Sequence, residues 1–230
     1  AIYDLEHPLF NVINGGTIKN INFENVDINR PDQNQIATLG FNLKNKGLIE
    51  DVKVTGSVTG NNDVAGIVNK IDEDGKIENV AFVGKINSVG NNSTVGGIAG
   101  SNYMGFVNRA YVDATITAQN ANASMLVPFV TYMLNSWKSG TKAKVTNSVA
   151  KGVLDVKNTR NVGGIVAKTW PYGAVQDNVT YAKVIKGQEI FASNDVNDED
   201  GGPHIKDLFG VVGYSSAEDG TGKDTKSPKK

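Results

Sequence analysis

Few residues of this 230-residue chain have the types and spacing that catalysis or metal binding demands. The two histidines, His7 and His204, stand near opposite ends of the sequence, and no His-Glu-x-x-His occurs. The pairing that sets two imidazoles on one helix face for zinc is therefore missing. There is no Gly-x-Ser-x-Gly elbow and no P-loop, so nucleophilic hydrolysis and nucleotide hydrolysis lose their usual signatures. The absence of cysteine excludes disulfides, thiolate metal sites and cysteine nucleophiles. The acidic run Asp195, Asp198, Glu199 and Asp200 offers oxygen ligands for calcium. In an EF-hand register starting at Asp195, however, Asp200 stands where Gly belongs and Lys206 where the bidentate Glu belongs, so a solvated loop is the expected reading. Asp72, Glu73 and Asp74 before Gly75 read as a turn. The expectation is a segment with no catalytic residue, no metal site and no cofactor of its own.

Composition narrows the partners. Lys plus Arg number 23 against 24 Asp plus Glu, a net charge of −1, which leaves no electrostatic footprint for nucleic acid or an anionic membrane. No stretch approaches the ~20 apolar residues that span a bilayer. The chain starts at Ala1 without a signal-like segment and finishes in the polar "AEDGTGKDTKSPKK". Residues 215–230 are expected to be a flexible linker, and the whole a segment of a longer polypeptide.

The elements that would position any functional surface come from a repeat. Cassettes open at Gly16, Gly47, Gly75, Gly105, Ala143 and Gly173, spaced 31, 28, 30, 38 and 30 residues apart. A period near 30 rich in β-branched residues, Gly and Asn predicts stacked coils that bury their apolar faces on one another. The opening Gly is expected to supply the positive φ of a tight corner. Two residues later stands an apolar residue: Ile18, Ile49, Ile77, Val107, Val145 or Val175. Asn20, Asp51, Asn79, Asn147 and Asp177 follow at a bend, with Arg109 the exception, and are expected to form a structural ladder of short polar side chains.

Period-two alternation then marks a strand. Ile21 and Phe23, Val52 and Val54, Val80 and Phe82, Ala110 and Val112 point inward, opposite Asn22, Lys53, Ala81 and Tyr111. In the last two copies Ser148, Ala150, Asn178 and Thr180 occupy the inward places, which predicts a narrower or wetter interior or a shifted register. Val58, Ile86, Ile116, Leu154 and Val184 resume the apolar face, with Ile28 one residue out of step. A second element precedes each cassette: "IATLGF" from Ile36, "VAGIV" from Val64, "VGGIAG" from Val95, "VGGIVAK" from Val162 and "LFGVVG" from Leu208. Its glycines predict close backbone approach.

Residues 119–143 interrupt this regularity. Met125, Phe129, Met133 and Trp137 recur at helical spacing, but Val127 to Val130 fall where a Val-Gly-Gly-type strand is due, and Pro128 opposes a helix. A strand and then a lengthened loop carrying Trp137 is the favoured reading. The fold class is therefore all-β: a right-handed parallel β-helix of about six to seven coils over residues 1–214. Lys53, Arg109, Tyr111 and Trp137 are the candidate partner-contacting residues.

The "VAGIV", "VGGIAG" and "VGGIVAK" segments resemble the GLUG repeats of bacterial surface proteins. The opening "YDLEHPLFNVINGGTIKNINFENVDI" and the segment "KAKVTNSVAKGVLDV" resemble the amino-terminal, non-catalytic region of the streptococcal immunoglobulin A1 proteases, which are zinc metalloproteases. The resemblance implies a parent enzyme with a distant zinc site that cleaves the hinge of human immunoglobulin A1, is exported, and is attached to the cell wall. The partners it implies would be the catalytic domain of the same polypeptide and the immunoglobulin A1 heavy chain. No catalytic or metal residue of that family has a matching position here. Two functions remain open: an accessory domain supporting, gating or recognising for the distant active site, and a stand-alone adhesin-type module that binds a host protein or glycan. Failing both, the segment is a spacer or scaffold.

Overall fold

In the computed structural model, which describes residues 1–91, 93–130, 143–157, 161–169, 173–186, 204–205 and 212–215, the described residues form strands and turns without a helix. The strands sort into three sheets, every pairing among the described residues being parallel. The long sheet runs through Thr17–Arg30, Leu48–Gly60 and Lys76–Ser88, then through pairs of shorter strands such as Phe106–Asn108 with Tyr111–Gln119 and Ala143–Thr146 with Val149–Lys157. A second sheet stacks Val12–Asn14, Gly40–Lys44, Val68–Ile71, Ala99–Asn102, Phe129–Val130, Val166–Thr169 and Val212–Ser215. A third stacks Ile36–Ala37, Val64–Ala65, Thr94–Gly96, Asn122–Ser124 and Asn161–Gly163. Each winding passes from the third sheet to the second and on to the long one, which makes a β-solenoid.

The repeat is the register. Ile18, Ile49, Ile77, Val107, Val145 and Val175 lie opposite one another coil upon coil, and Ile205 extends the column. The turns number about five rather than six to seven. A cassette count overshoots because the terminal cassettes add strands to the long sheet, whereas a complete turn needs all three sheets and the third has five strands. At the first winding Ile2–Tyr3 pairs with Phe23 and Glu24, while Ile2, Leu5 and Leu9 pack against the core.

Inside, Phe23, Val54, Phe82, Val112 and Ala150 are fully buried along one column, each large side chain contributing about 1.5–3 kcal/mol by leaving water. Ile28 keeps step with Val58 because an extra residue is absorbed between Phe23 and Val26, where Asn25 takes φ 56°.

The opening glycines play another role than expected. At Gly16, Gly47, Gly75 and Gly105 φ is not positive; in the first three cassettes the left-handed residue stands just before the glycine, at Gly15, Lys46 and Asp74. Space is what Gly75 and Gly105 supply. A Cβ on Gly75 would sit 2.7 Å from the Leu43 carbonyl oxygen, and one on Gly105 2.1 Å from Ile71 Cγ2. In the Val-Gly-Gly segments the close approach is present: a Cβ on Gly66 would lie 2.1 Å from the Gly97 carbonyl oxygen.

Residues 119–143 also differ from expectation. The strand of the third sheet is Asn122–Ser124, with Ala123 opposite Val95 and Val162, while Phe129–Val130 belongs to the second sheet. The coil therefore continues to Val130, and Met125 lies buried in it rather than on a helical stripe. Residues 131–142, including Met133 and Trp137, lie outside the described residues, as do the acidic run 195–200, the start of "LFGVVG" and residues 216–230.

The polar inward positions have a specific solution. The Ala110 backbone N–H donates to Ser148 Oγ at 3.0 Å, and the Ser148 N–H donates to Asn178 Oδ1 at 2.9 Å. Ser148 Oγ in turn donates to the Thr146 carbonyl at 2.7 Å, and Asn178 Nδ2 to the Val145 carbonyl at 2.9 Å. Side chains thus replace ladder rungs at the bend, and there the long strand splits in two. Ser148 and Asn178 are 1% and 3% exposed, so all of these groups need their partners.

Two measurements check this account. Asn178→Ala strands a buried N–H and a buried carbonyl and should cost about 2–4 kcal/mol in urea unfolding, while Asp177→Gly next to it, free to keep its left-handed backbone, should change stability by less than about 1 kcal/mol. Gly84→Ala places a Cβ 1.9 Å from the Gly56 carbonyl oxygen at φ 148°. It should lower the unfolding midpoint by an amount equivalent to about 2 kcal/mol or more, and an unchanged midpoint would contradict the stacking described.

Candidate interaction surface

The outward side chains of the long sheet stand in rows that cross the coils, because in-register parallel strands bring equivalent positions side by side. Lys53, Ala81, Tyr111, Val149 and Val179 form one row. Lys53 and Tyr111 therefore share a line on one face, two coils apart. The Tyr111 hydroxyl donates to Asp113 Oδ2 at 3.3 Å, and Lys151 Nζ sits 5.7 Å from the ring centroid.

Arg109 takes φ 51° at the bend and pairs with Glu78 Oε1 at 2.6 Å, its side chain 62% exposed. Asn108 Nδ2 donates to both Glu78 oxygens, at 2.9 and 3.0 Å, while Thr146 and Asn147 donate to Asn108 Oδ1 at 2.9 and 2.8 Å. Arg109 thus belongs to a cross-coil polar network as well as to the surface. An exposed pair of this kind contributes little to stability, ~0–1 kcal/mol.

Asn20, Asp51, Asn79, Asn147 and Asp177 take φ values of 57°, 52°, 52°, 51° and 54° in the same column as Arg109. A side-chain hydrogen bond joins Asn79 to Asp51, whereas Asn147 turns to Asn108. Trp137 lies outside the described residues.

Val179 and Tyr181, 45% and 69% exposed, have no counterpart among the candidates read from the sequence. The Tyr181 N–H donates to the Ala150 carbonyl at 2.8 Å, which sets Tyr181 beside Lys151. Tyr111, Val149, Val179, Lys151 and Tyr181 together make an apolar strip with a basic residue within it. Aromatic rings and aliphatic side chains held on a rigid sheet suit contact with a protein surface, since little entropy is lost on docking. The available signal was the appearance of Val149 and Val179 at the outward place held by Lys53 in the second coil.

Among the described residues, no group of three or more His, Cys, Asp or Glu is arranged to hold a metal ion. His7 accepts a hydrogen bond from Arg30 at 2.7 Å in the first winding, while His204 lies in the last strand of the long sheet. Asp72 pairs with Lys70 at 2.7 Å and accepts from the Glu73 N–H at 3.2 Å, as a turn residue does. No helix among the described residues is long and apolar enough to cross a membrane.

Comparison with known proteins finds relatives of this chain. Residues 1–56 match the M26 IgA1-specific Metallo-endopeptidase N-terminal region. Over 219 residues, 94% of the chain, it is 55% identical to the zinc metalloprotease ZmpB of Streptococcus pneumoniae serotype 4. It is 32% identical to ZmpC of the same organism over 83% of the chain, and 27% identical to an immunoglobulin A1 protease of Streptococcus sanguinis over 74%. The matched stretches make up 12%, 10% and 9% of those relatives, so the chain spans about a tenth of their length. The chain is thus a relative of the N-terminal region of the M26 IgA1-specific metallo-endopeptidases.

Proposed function

We propose that this β-solenoid is an accessory domain of a secreted, cell-wall-attached zinc metalloendopeptidase, serving substrate recognition, gating or support for a catalytic domain elsewhere in the same polypeptide. The observation that carries the reading is the 55% identity along 94% of the chain to a stretch that is 12% of a zinc metalloprotease. The zinc of the relatives finds no ligand set among the described residues, so in this reading both the metal and bond cleavage belong to the remainder of the polypeptide. What this chain contributes is a rigid stack that presents rows of side chains at fixed spacing. The strip at Tyr111, Val149, Val179, Lys151 and Tyr181 is the surface assigned to contact the protein substrate, with the heavy chain of immunoglobulin A1 as the named candidate. Higher identity to ZmpB than to the immunoglobulin A1 proteases makes substrate identity the first thing to measure.

Removing residues 1–214 from the full enzyme should slow hydrolysis of intact immunoglobulin A1 by about tenfold or more, while a short hinge peptide is cut at a rate within about twofold of the parent. Equal losses on both substrates would leave structural support as the role. The double change Tyr111→Ala and Tyr181→Ala should weaken binding of the 230-residue chain to its protein partner about tenfold without moving its unfolding midpoint. Saturable binding to a host protein other than immunoglobulin, with none to immunoglobulin, would favour the adhesin-type reading.

A further inference from the structure

Away from the apolar strip, the long sheet carries a polar furrow that the proposed function does not use. Asn87, Thr117 and Asp155 stand in one row across three coils. Two residues farther along each strand come Val89, Gln119 and Lys157, with buried Ser88 and Ala118 forming the floor between the rows. The furrow encloses about 270 Å³, just below the ~300–1,000 Å³ of pockets that take drug-sized ligands.

Its hydrogen-bonding groups are partly unspent. Thr117 Oγ1 donates to Asn87 Oδ1 at 2.7 Å, and Gln119 Nε2 donates to the Val89 carbonyl at 3.1 Å. Asp155 Oδ1, by contrast, is buried without a partner. A carboxylate oxygen in that condition is costly unless something supplies a donor. Lys157 lies two residues away on the same face, yet the two form no ion pair with each other. The lining therefore offers an acceptor and a cationic donor on one strand, with amide groups of Gln119 and Asn87 on the two coils beside it. Lys157 repels a bare cation and Asp155 repels an anion. A neutral ligand with adjacent hydroxyls, each able to donate and to accept, satisfies both ends.

We propose that this furrow binds a neutral, hydroxyl-rich saccharide unit of one or two rings, with Asp155 accepting from one hydroxyl and Lys157 donating to its neighbour. The proposal stands apart from the apolar strip, and the strip can fail its own test without affecting it. The experiment is an amide NMR titration of the 230-residue chain with the methyl glycosides of glucose, galactose and N-acetylglucosamine, run beside glycine, calcium chloride and inorganic phosphate. At least one glycoside should give saturable shifts at residues 87–89, 117–119 and 155–157. Asp155→Asn should weaken that binding about tenfold, as loss of a charged hydrogen-bond partner does. Gln119→Ala, an exposed change that leaves the coil intact, should also weaken it, and Lys19→Ala in the first coil should not. The proposal is overturned if no glycoside saturates by ~50 mM, a level at which even very weak sites fill. It is overturned equally if only glycine, calcium or phosphate saturates the site, or if both Asp155→Asn and Gln119→Ala bind the glycoside undiminished.

Discussion

Among the described residues, each inner coil is held by backbone hydrogen bonds to the coils above and below it, and that single constraint governs what each residue can be. Ordering a residue's backbone costs about 1–2 kcal/mol, and a winding of about thirty residues cannot recover this alone because it contains no second layer of its own. The return comes from stacking, in which equivalent positions meet and a side chain that fits once must fit repeatedly. The column from Ile18 to Ile205 shows how strictly this holds: seven stacked strands of the long sheet, each with Ile or Val. The same demand explains the column of left-handed residues beside it. If one coil bends there, its neighbours must bend too, and Asn and Asp accept that φ at lower cost than other side-chain-bearing residues.

Within the interior the constraint acts on volume. Phe82 occupies space that exists because Gly66 in its coil lacks a side chain: a Cβ there would meet the Phe82 ring at 2.6 Å. In the next coil a Cβ on Gly97 would meet Val112 at 2.7 Å. One coil farther on, the inward residue shrinks to Ala150 and the glycine position is held by Met125, both fully buried. Large and small exchange places between the corner and the long strand, and the packing stays filled. Where the inward residue becomes polar, at Ser148 and Asn178, the backbone gives up rungs and the side chains take them over. The strand breaks at that point, but the stack does not.

Much of this was legible because a period is a long-range signal carried by many residues at once. The six cassette starts fall into one register, and the out-of-step Ile28 becomes a bulge at Asn25. What local reading misjudged was the reason for particular residues. Gly75 and Gly105 look like corners in φ, yet they are clearances for the neighbouring coil, a requirement visible only once the coils are stacked. The strand at Asn122–Ser124 lacks the paired glycines that mark its counterparts, so local pattern points to Val127–Val130 instead. The surface features were hardest to see. The apolar strip and the polar furrow each draw on three or more coils, so their members are separated by about thirty residues and no local motif unites them.

That separation also shows what kind of surface a solenoid can offer. Inward residues are bound by the stacking rule, whereas outward residues on the long sheet are bound only by the spacing of coils, about 4.8 Å, and by the pleat. The outward rows can therefore vary from coil to coil, as Lys53, Ala81, Tyr111, Val149 and Val179 do, without disturbing the register beneath them. The bend column has less freedom: Arg109 meets its φ requirement and still reaches Glu78, so its surface chemistry is tied to the backbone geometry of its coil. Contact chemistry can thus be placed on the long face at fixed positions while the interior keeps those positions rigid. A partner that meets this face encounters side chains already ordered, so little of the binding free energy is lost to ordering the domain.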